Sequence, residues 1–229
     1  DALKVVKSDD GVLLDNDKII EAMTDDVALV LLPSALYRSA QILDMKRITE
    51  AAKERGIYIG WDLCHSIGAY PHDFADVQPD FAVWCTYKYL SAGPGSNAGL
   101  YINEKHFDKI AGLNGWFGNK DETQFQLKHE FEQAIGAKGF QIGTPNLFSM
   151  APISGSLDIY KEAGIDRIRA KSLHLTAYLM YLIDNKLAKY GFGVGNPRKD
   201  EERGGHVCLT HDDAYRIAAA LRGEGVIPD

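Results

Sequence analysis

Only three cysteines occur in 229 residues: Cys64, Cys85 and Cys208. So few, odd in number and set in apolar or strand-like surroundings, they supply no disulfide framework and suit a reducing cytosol. The chain contains no C-x-x-C and no H-x-x-x-H, so a metal site begun by Cys64 and His65 lacks its remaining ligands. A cysteine nucleophile paired with His65 is disfavoured too, because adjacent residues of an extended strand point to opposite faces. There is no run of about eighteen apolar residues and no charged-apolar-small signal at the start, so neither membrane insertion nor secretion is indicated, and a cytoplasmic location is expected. Positive charge is also in short supply. Lys and Arg number 25 against 32 Asp and Glu, a formal net charge of −7 with no basic stripe, which argues against nucleic acid and anionic membrane surfaces as partners. Internal repeats and low-complexity tracts are absent.

What is present is an alternation of strand and helix patterns at 45% hydrophobic content, enough to bury a sizeable core in one α/β layer system. The stretch Asp15-Asn-Asp-Lys-Ile-Ile-Glu-Ala-Met23 reads as a short capped helix. The apolar run Val27 to Leu32 predicts a strand. Asp44 to Arg55 predicts a crossover helix, with Ile48, Ala51 and Ala52 at helical spacing and Gly56 as its stop. Ile57 to Trp61 then completes a βαβ unit. Further strands are predicted at Phe81 to Cys85 and Gly99 to Ile102. Two helical stretches follow, Phe148 to Ala163 and Ile165 to Asn185, the second carrying Leu173, Ala177, Met180 and Ile183 on one face. A Gly- and Pro-rich break at Gly191 to Pro197 and a charged run to Arg203 precede a strand, Gly205 to Thr210, and a helix, Ala214 to Leu221.

The most informative segment runs from Asp62 to Gly99. A buried strand ends at Asp62 and opens into the Gly-containing loop Leu63-Cys-His-Ser-Ile-Gly68. A second strand delivers Thr86-Tyr87-Lys88 at its own carboxyl end, followed by the turn Ser91-Ala-Gly-Pro-Gly-Ser96. Both charged groups therefore sit where parallel sheets bind ligands, outside the carboxyl ends of neighbouring strands. A lysine amine forms a Schiff base with an aldehyde cofactor when a partly desolvated site makes it nucleophilic. A buried carboxylate holds the proton on a pyridine nitrogen by a charge-assisted hydrogen bond. Taken singly, an Asp at a strand end is a turn former and a Lys after a strand an exposed charge. The joint pattern of Asp62-x-x-His65, Asp80 at the next strand start, an aromatic before Lys88 and a Gly-Pro-Gly turn points instead to a pyridoxal 5'-phosphate site.

That pattern resembles the class V branch of the aspartate aminotransferase fold. Within it, Trp84-Cys-Thr-Tyr-Lys-Tyr-Leu90 and Gly115-Trp-Phe-Gly118 resemble the kynureninase family, and the likeness continues through Lys138-Gly-Phe-Gln-Ile-Gly-Thr-Pro145 and Glu201-Glu-Arg-Gly-Gly205. Cysteine desulfurases typically place a His before the lysine, where this chain has Tyr87. The resemblance implies a mostly parallel sheet with Gly99 to Ile102 returning antiparallel. It makes Lys88 the cofactor-linked lysine, Asp62 the partner of the pyridine nitrogen and His65 a neighbour of both. Tyr87 would reach the phosphate and the reacting carbon, acting in catalysis with Lys88 and Asp62. Trp116 and Thr144 would donate to the phosphate from the neighbouring subunit of a homodimer that shares its active site. The family often offers a hydroxyl after the strand that here ends in Pro33-Ser34. Pro33 cannot donate a hydrogen bond, and Ser34 is left without an assigned role.

The implied activity is hydrolysis of L-kynurenine or 3-hydroxy-L-kynurenine to an anthranilate and L-alanine, in tryptophan catabolism and NAD biosynthesis. Another class V enzyme, a desulfurase or aminotransferase, and a non-catalytic fragment are the alternatives. Residues 1–185 are expected to form the cofactor-binding large domain and residues 186–229 the start of a smaller carboxyl-terminal one. Both ends read as cut. The phosphate loop and the aromatic that stacks on the pyridine are expected before residue 1, and the arginine for the substrate carboxylate after residue 229, so the chain as given is expected to be inactive.

Overall fold

The computed structural model describes residues 2–228. A four-stranded sheet forms the centre, in the order β1 (Leu29–Pro33), β2 (Tyr58–Asp62), β3 (Phe81–Trp84) and β4 (Gly99–Ile102). The first three strands are parallel and β4 returns antiparallel, as the sequence led us to expect. Between β1 and β2 lies α2 (Met45–Glu54), started by the Asp44 side chain accepting the Arg47 N–H and ended before Gly56 at φ +68°. That conformation is open to glycine at no steric cost. The short α1 (Asn16–Glu21) is capped by Asp15, and the one-turn α3 (Phe74–Val77), between β2 and β3, by Asp73.

One face of α2 presents Met45, Ile48, Ala51 and Ala52 to Ile59, Trp61, Leu63 and Ala82 of the sheet. Trp61 is wholly buried and satisfies its indole by donating to Thr49 Oγ1 at 3.0 Å. Truncating a residue packed this way costs about 3–5 kcal/mol, so the βαβ unit is held mainly by this contact layer. Its rigidity fixes the end of β2, where Asp62 stands level with Pro33 of β1 and Val83 of β3.

Two long helices, α4 (Leu147–Ala163) and α5 (Ile165–Leu182), follow, separated by Gly164 at φ +78°. The buried face of α5 runs through Thr176 and Met180 to Ile183, and Ala177 is exposed, a correction to the expected stripe. Thr176 takes the inward place because its hydroxyl is satisfied by the Ser172 carbonyl at 2.9 Å. Beyond them the expected break holds a strand of its own, β5 (Gly193–Val194), paired antiparallel with β6 (Leu209–Thr210). Only those two residues of the predicted 205–210 strand pair. The reason is Asn196, whose side-chain amide donates to the carbonyls of Ser39 and His206, drawing the chain before β6 into a loop. Helix α6 (Ala214–Gly223) closes the described chain.

Candidate active site

Asp62 is the last residue of β2, and its Oδ1 accepts the backbone N–H of Cys64 at 2.8 Å. This turn bends the chain off the sheet. Ser66 and Ile67 N–H groups both donate to the Leu63 carbonyl at 2.9 Å, while Leu63 is fully buried beneath. His65 is thereby carried over to β3's side of the site.

The lysine arrives from β3. Thr86 is buried and donates within the loop that follows, with Ser96 Oγ and the Asn97 carbonyl each 2.6 Å from its Oγ1. Gly93 and Gly95 adopt φ +84° and +77°, left-handed positions that let the Gly-Pro-Gly turn fold back upon Thr86. Helix α4 fastens the other side: Ser156 donates to the Leu90 carbonyl and Tyr160 to that of Tyr89. Lys88 Nζ is left half-buried, 2.7 Å from His65 Nε2. An ammonium only donates, so this contact requires the His65 tautomer with an unprotonated Nε2. His65 and Lys88 thus meet beyond the carboxyl ends of two adjacent parallel strands, one of which ends at Asp62. Tyr87 is beside them, 50% exposed, with Lys88 Nζ 5.8 Å from its ring centroid.

Two aromatic groups join the site that sequence reasoning did not assign to it. Tyr37 and His206 flank the His65 ring at centroid distances of 6.2 and 6.5 Å, and His206 Nδ1 lies 3.4 Å from the Tyr89 hydroxyl. His206 directly follows the Glu-Glu-Arg-Gly-Gly motif, which was a usable signal; Tyr37 had none. Arg203 of that motif is 1% exposed, and its guanidinium binds the Arg198 carbonyl at 2.9 Å and Thr176 Oγ1 at 3.3 Å. It braces α5 rather than facing the site. Asp80 is likewise structural: 5% exposed, it accepts the Ile59 N–H at 2.7 Å and meets Lys105 and His106 at 2.6 Å, at the other end of the sheet.

Behind Asp62 sits a buried polar cluster. Ser34 turns inward, its hydroxyl donating to Ser66 Oγ at 2.6 Å, and Ser66 also meets His72 Nε2 at 2.9 Å. Burial holds His72 down to about 4 from its ordinary 6.5, so its imidazole is neutral near pH 7. A histidine with a depressed folded-state pKa binds its proton more readily when unfolded, so its stabilising contribution is present above pH 6.5 and is lost as pH falls from there toward 4. The full loss is on the order of 3 kcal/mol. Thermal melts between pH 7 and 4.5 should therefore fall less steeply for His72→Phe than for the parent; identical slopes would remove His72 from the acid response.

Trp116 and Thr144 stand apart from this cluster. Trp116 opens a 3-10 turn, 47% exposed, its ring packed edge-on against Phe117 and Phe125 at 5.3 and 5.5 Å. Thr144 is exposed just ahead of α4. Among the described residues neither has a hydrogen bond or ring contact with Asp62, His65, Tyr87 or Lys88. The two are tied to one another through Gly115, where a Cβ would stand 1.9 Å from the Ile142 carbonyl oxygen. The turn bearing Trp116 and the segment bearing Thr144 therefore pack backbone to backbone at Gly115 and Ile142.

Residues 168–229 match the family model for the kynureninase C-terminal domain. A kynureninase from Bacillus thuringiensis subsp. konkukian (strain 97-27) is 58% identical over 224 residues, 98% of this chain and 52% of that protein. One from Geobacillus thermodenitrificans (strain NG80-2) is 55% identical over the same shares. The chain spans about half the length of the curated relatives it matches. Among solved structures, the apo cysteine desulfurase from Thermococcus onnurineus NA1 superposes with a TM-score of 0.80 at 19% identity, covering 98% of this chain and 54% of that one. A C-DES mutant with glycine covalently linked to its PLP cofactor gives 0.79 at 19% identity, covering 93% and 55%. At that identity these two share the fold, the mostly parallel aspartate aminotransferase type expected from the sequence.

Proposed function

Since the chain belongs to the kynureninase family over the stretch it spans, we propose that it carries the lysine-bearing part of a pyridoxal 5'-phosphate-dependent hydrolase. The substrate is L-kynurenine or its 3-hydroxy form, cleaved to anthranilate or 3-hydroxyanthranilate and L-alanine, in cytoplasmic tryptophan catabolism and NAD biosynthesis. The observation that carries this reading is the meeting of His65 and Lys88, Nζ 2.7 Å from an imidazole nitrogen, beyond the ends of the adjacent strands β2, which ends at Asp62, and β3. Residues 1–185 form the cofactor domain in this reading, and 186–229 begin the smaller domain.

The residues present fit the cofactor. Asp62 offers a carboxylate fixed by the Cys64 N–H, suited to holding a proton on a pyridine nitrogen. Lys88 offers a half-buried nitrogen 2.7 Å from an imidazole nitrogen, suited in its unprotonated amine form to attack on an aldehyde. Bound there, pyridoxal phosphate supplies an electron sink for the bond changes at the substrate's α and β carbons.

The chain's own groups then have separable tasks. Asp62 keeps the ring-nitrogen proton in place. Lys88 would hold the group and take the substrate's α-proton, with His65 positioning its Nζ. Tyr87, exposed beside Nζ, moves the proton needed near Cβ and Cγ as water adds and the Cβ–Cγ bond breaks. Trp116 and Thr144 act in this scheme from a second copy, donating to the phosphate of the partner's site, so a homodimer completes the active site. The exposure of both residues, Trp116 at 47%, leaves them accessible for that task.

Trp116→Phe keeps the aromatic packing and deletes one N–H donor. Cofactor affinity should weaken by about 1.5–3 kcal/mol, the range for a hydrogen bond to a charged group, with little change in kcat. Unchanged affinity in an equilibrium titration returns Trp116 to a packing role.

The function itself is tested by product analysis of a purified full-length version, one that spans the whole length of its relatives, with L-kynurenine. Anthranilate, followed by its fluorescence, is the expected product. Turnover of cysteine to sulfide, or of an amino acid to a keto acid, without anthranilate would overturn the reading. Expressed alone, the 229 residues are expected to release no anthranilate.

A further inference from the structure

The two cysteines nearest the site face each other across it. In the register that pairs Asp62 with Val83, Cys64 and Cys85 are each two residues further on, so the same offset brings them side by side past the ends of β2 and β3. Their contacts are reciprocal: Cys85 N–H donates to Cys64 Sγ at 3.2 Å, and Cys85 Sγ lies 3.9 Å from the Cys64 carbonyl oxygen. Each sulfur thus rests against the backbone of the other residue. Residues level with one another on neighbouring strands have the Cα separation a disulfide spans. Both are free thiols and partly buried. Cys208, the third, lies at β6, its Sγ turned to the Leu209 carbonyl.

Both thiols are coupled to the site through short covalent paths. The Cys64 N–H holds the Asp62 carboxylate, Cys64 directly precedes His65, and Cys85 is three residues before Lys88. A bond between the two sulfurs draws Cys64 Sγ off the Cys85 N–H and toward Cys85 Sγ, shifting the backbone that carries Asp62 and His65. The 2.7 Å contact of Lys88 with His65 depends on that backbone.

We propose that Cys64 and Cys85 form a reversible oxidation site, closing a disulfide when the protein meets a hydroperoxide and thereby displacing the groups that seat Lys88. The chemistry balances with the peroxide as the oxidant. Cys85 sulfur attacks one peroxide oxygen, the O–O bond breaks, and the sulfenic acid and one molecule of water (or alcohol) result. Cys64 sulfur then attacks Cys85 sulfur, the S–O bond breaks, and the hydroxyl leaves with the Cys64 proton as water. Two electrons pass from the sulfur pair to the peroxide, and a dithiol returns them. Cys64 is pushed up to about 12, by burial first and by Asp62 beside it, which assigns it the second, resolving step. Thiolate character governs the first attack.

The test uses the purified protein and hydrogen peroxide, followed by alkylation and non-reducing peptide mapping. The expected result is one dithiothreitol-sensitive crosslink joining the Cys64 and Cys85 peptides, absent from both Cys64→Ser and Cys85→Ser, with Cys208 still alkylated. Retention of both thiols, acids of Cys85 without a crosslink, or a crosslink to Cys208 would overturn it. The second readout rests on the proposed cofactor role of Lys88: borohydride-fixed incorporation of pyridoxal phosphate should fall about tenfold on oxidation, the equivalent of one lost hydrogen bond, and recover with dithiothreitol. A crosslink that leaves incorporation unaltered would overturn the link to Lys88. If even the reduced protein incorporates none, the cofactor reading fails instead, and the crosslink map alone decides the oxidation site.

Discussion

In a full-length version of the protein, replacing Lys88 by alanine is expected to abolish covalent capture of pyridoxal phosphate and to cut anthranilate release by about 10³ or more, within the range set by removing a positioned base that is also the nucleophile. The reason is local. Lys88 is the lysine that the Thr86 turn and the α4 contacts to Tyr89 and Leu90 hold against His65. Other lysines are differently engaged: Lys105 pairs with Asp80 at the far end of the sheet and Lys120 is exposed. The substitution leaves the core of β2 and α2 untouched, so circular dichroism and melting should stay near those of the parent. Retained turnover in a folded Lys88→Ala protein would sink the assignment.

Asp62→Asn should preserve measurable cofactor binding while lowering kcat by about 10² or more, comparable to the loss of a major electrostatic stabiliser. Asparagine keeps an oxygen for the Cys64 N–H, so the loop carrying His65 stays in place and the effect isolates the charge. A carboxamide cannot hold the ring proton as a carboxylate does. Titration of the cofactor by absorbance alongside steady-state kinetics separates the two quantities. Near-parental kcat would return Asp62 to the role of a strand-end turn former.

Much of this was readable because it is local. A strand that stops at an Asp, a loop with Gly68, and a second strand that stops before Thr86-Tyr87-Lys88 are set by short continuous apolar runs and by turn residues within a few positions. The crossover helix was equally plain, its apolar spacing and Asp44 and Gly56 boundaries matching α2 to within a residue. What escaped depends on contacts distant in sequence. Ser34, Ser66 and His72 form one buried cluster only because β1 and the loop after β2 are packed together. Asn196 unravels most of the predicted 205–210 strand by claiming its backbone. Ala177 gave way to Thr176 on α5 because a helical threonine can satisfy its hydroxyl one turn back. The task proposed for Trp116 and Thr144 meets another limit of sequence, since a site completed by a second copy would be a property of assembly, not of local pattern.

The most direct measurement is to incubate the protein with pyridoxal phosphate, reduce it with borohydride and map the labelled peptide. The proposed site requires the label on Lys88, in the peptide that follows Trp84-Cys-Thr-Tyr87. A label on Lys105 or Lys120 with Lys88 unmodified would contradict it.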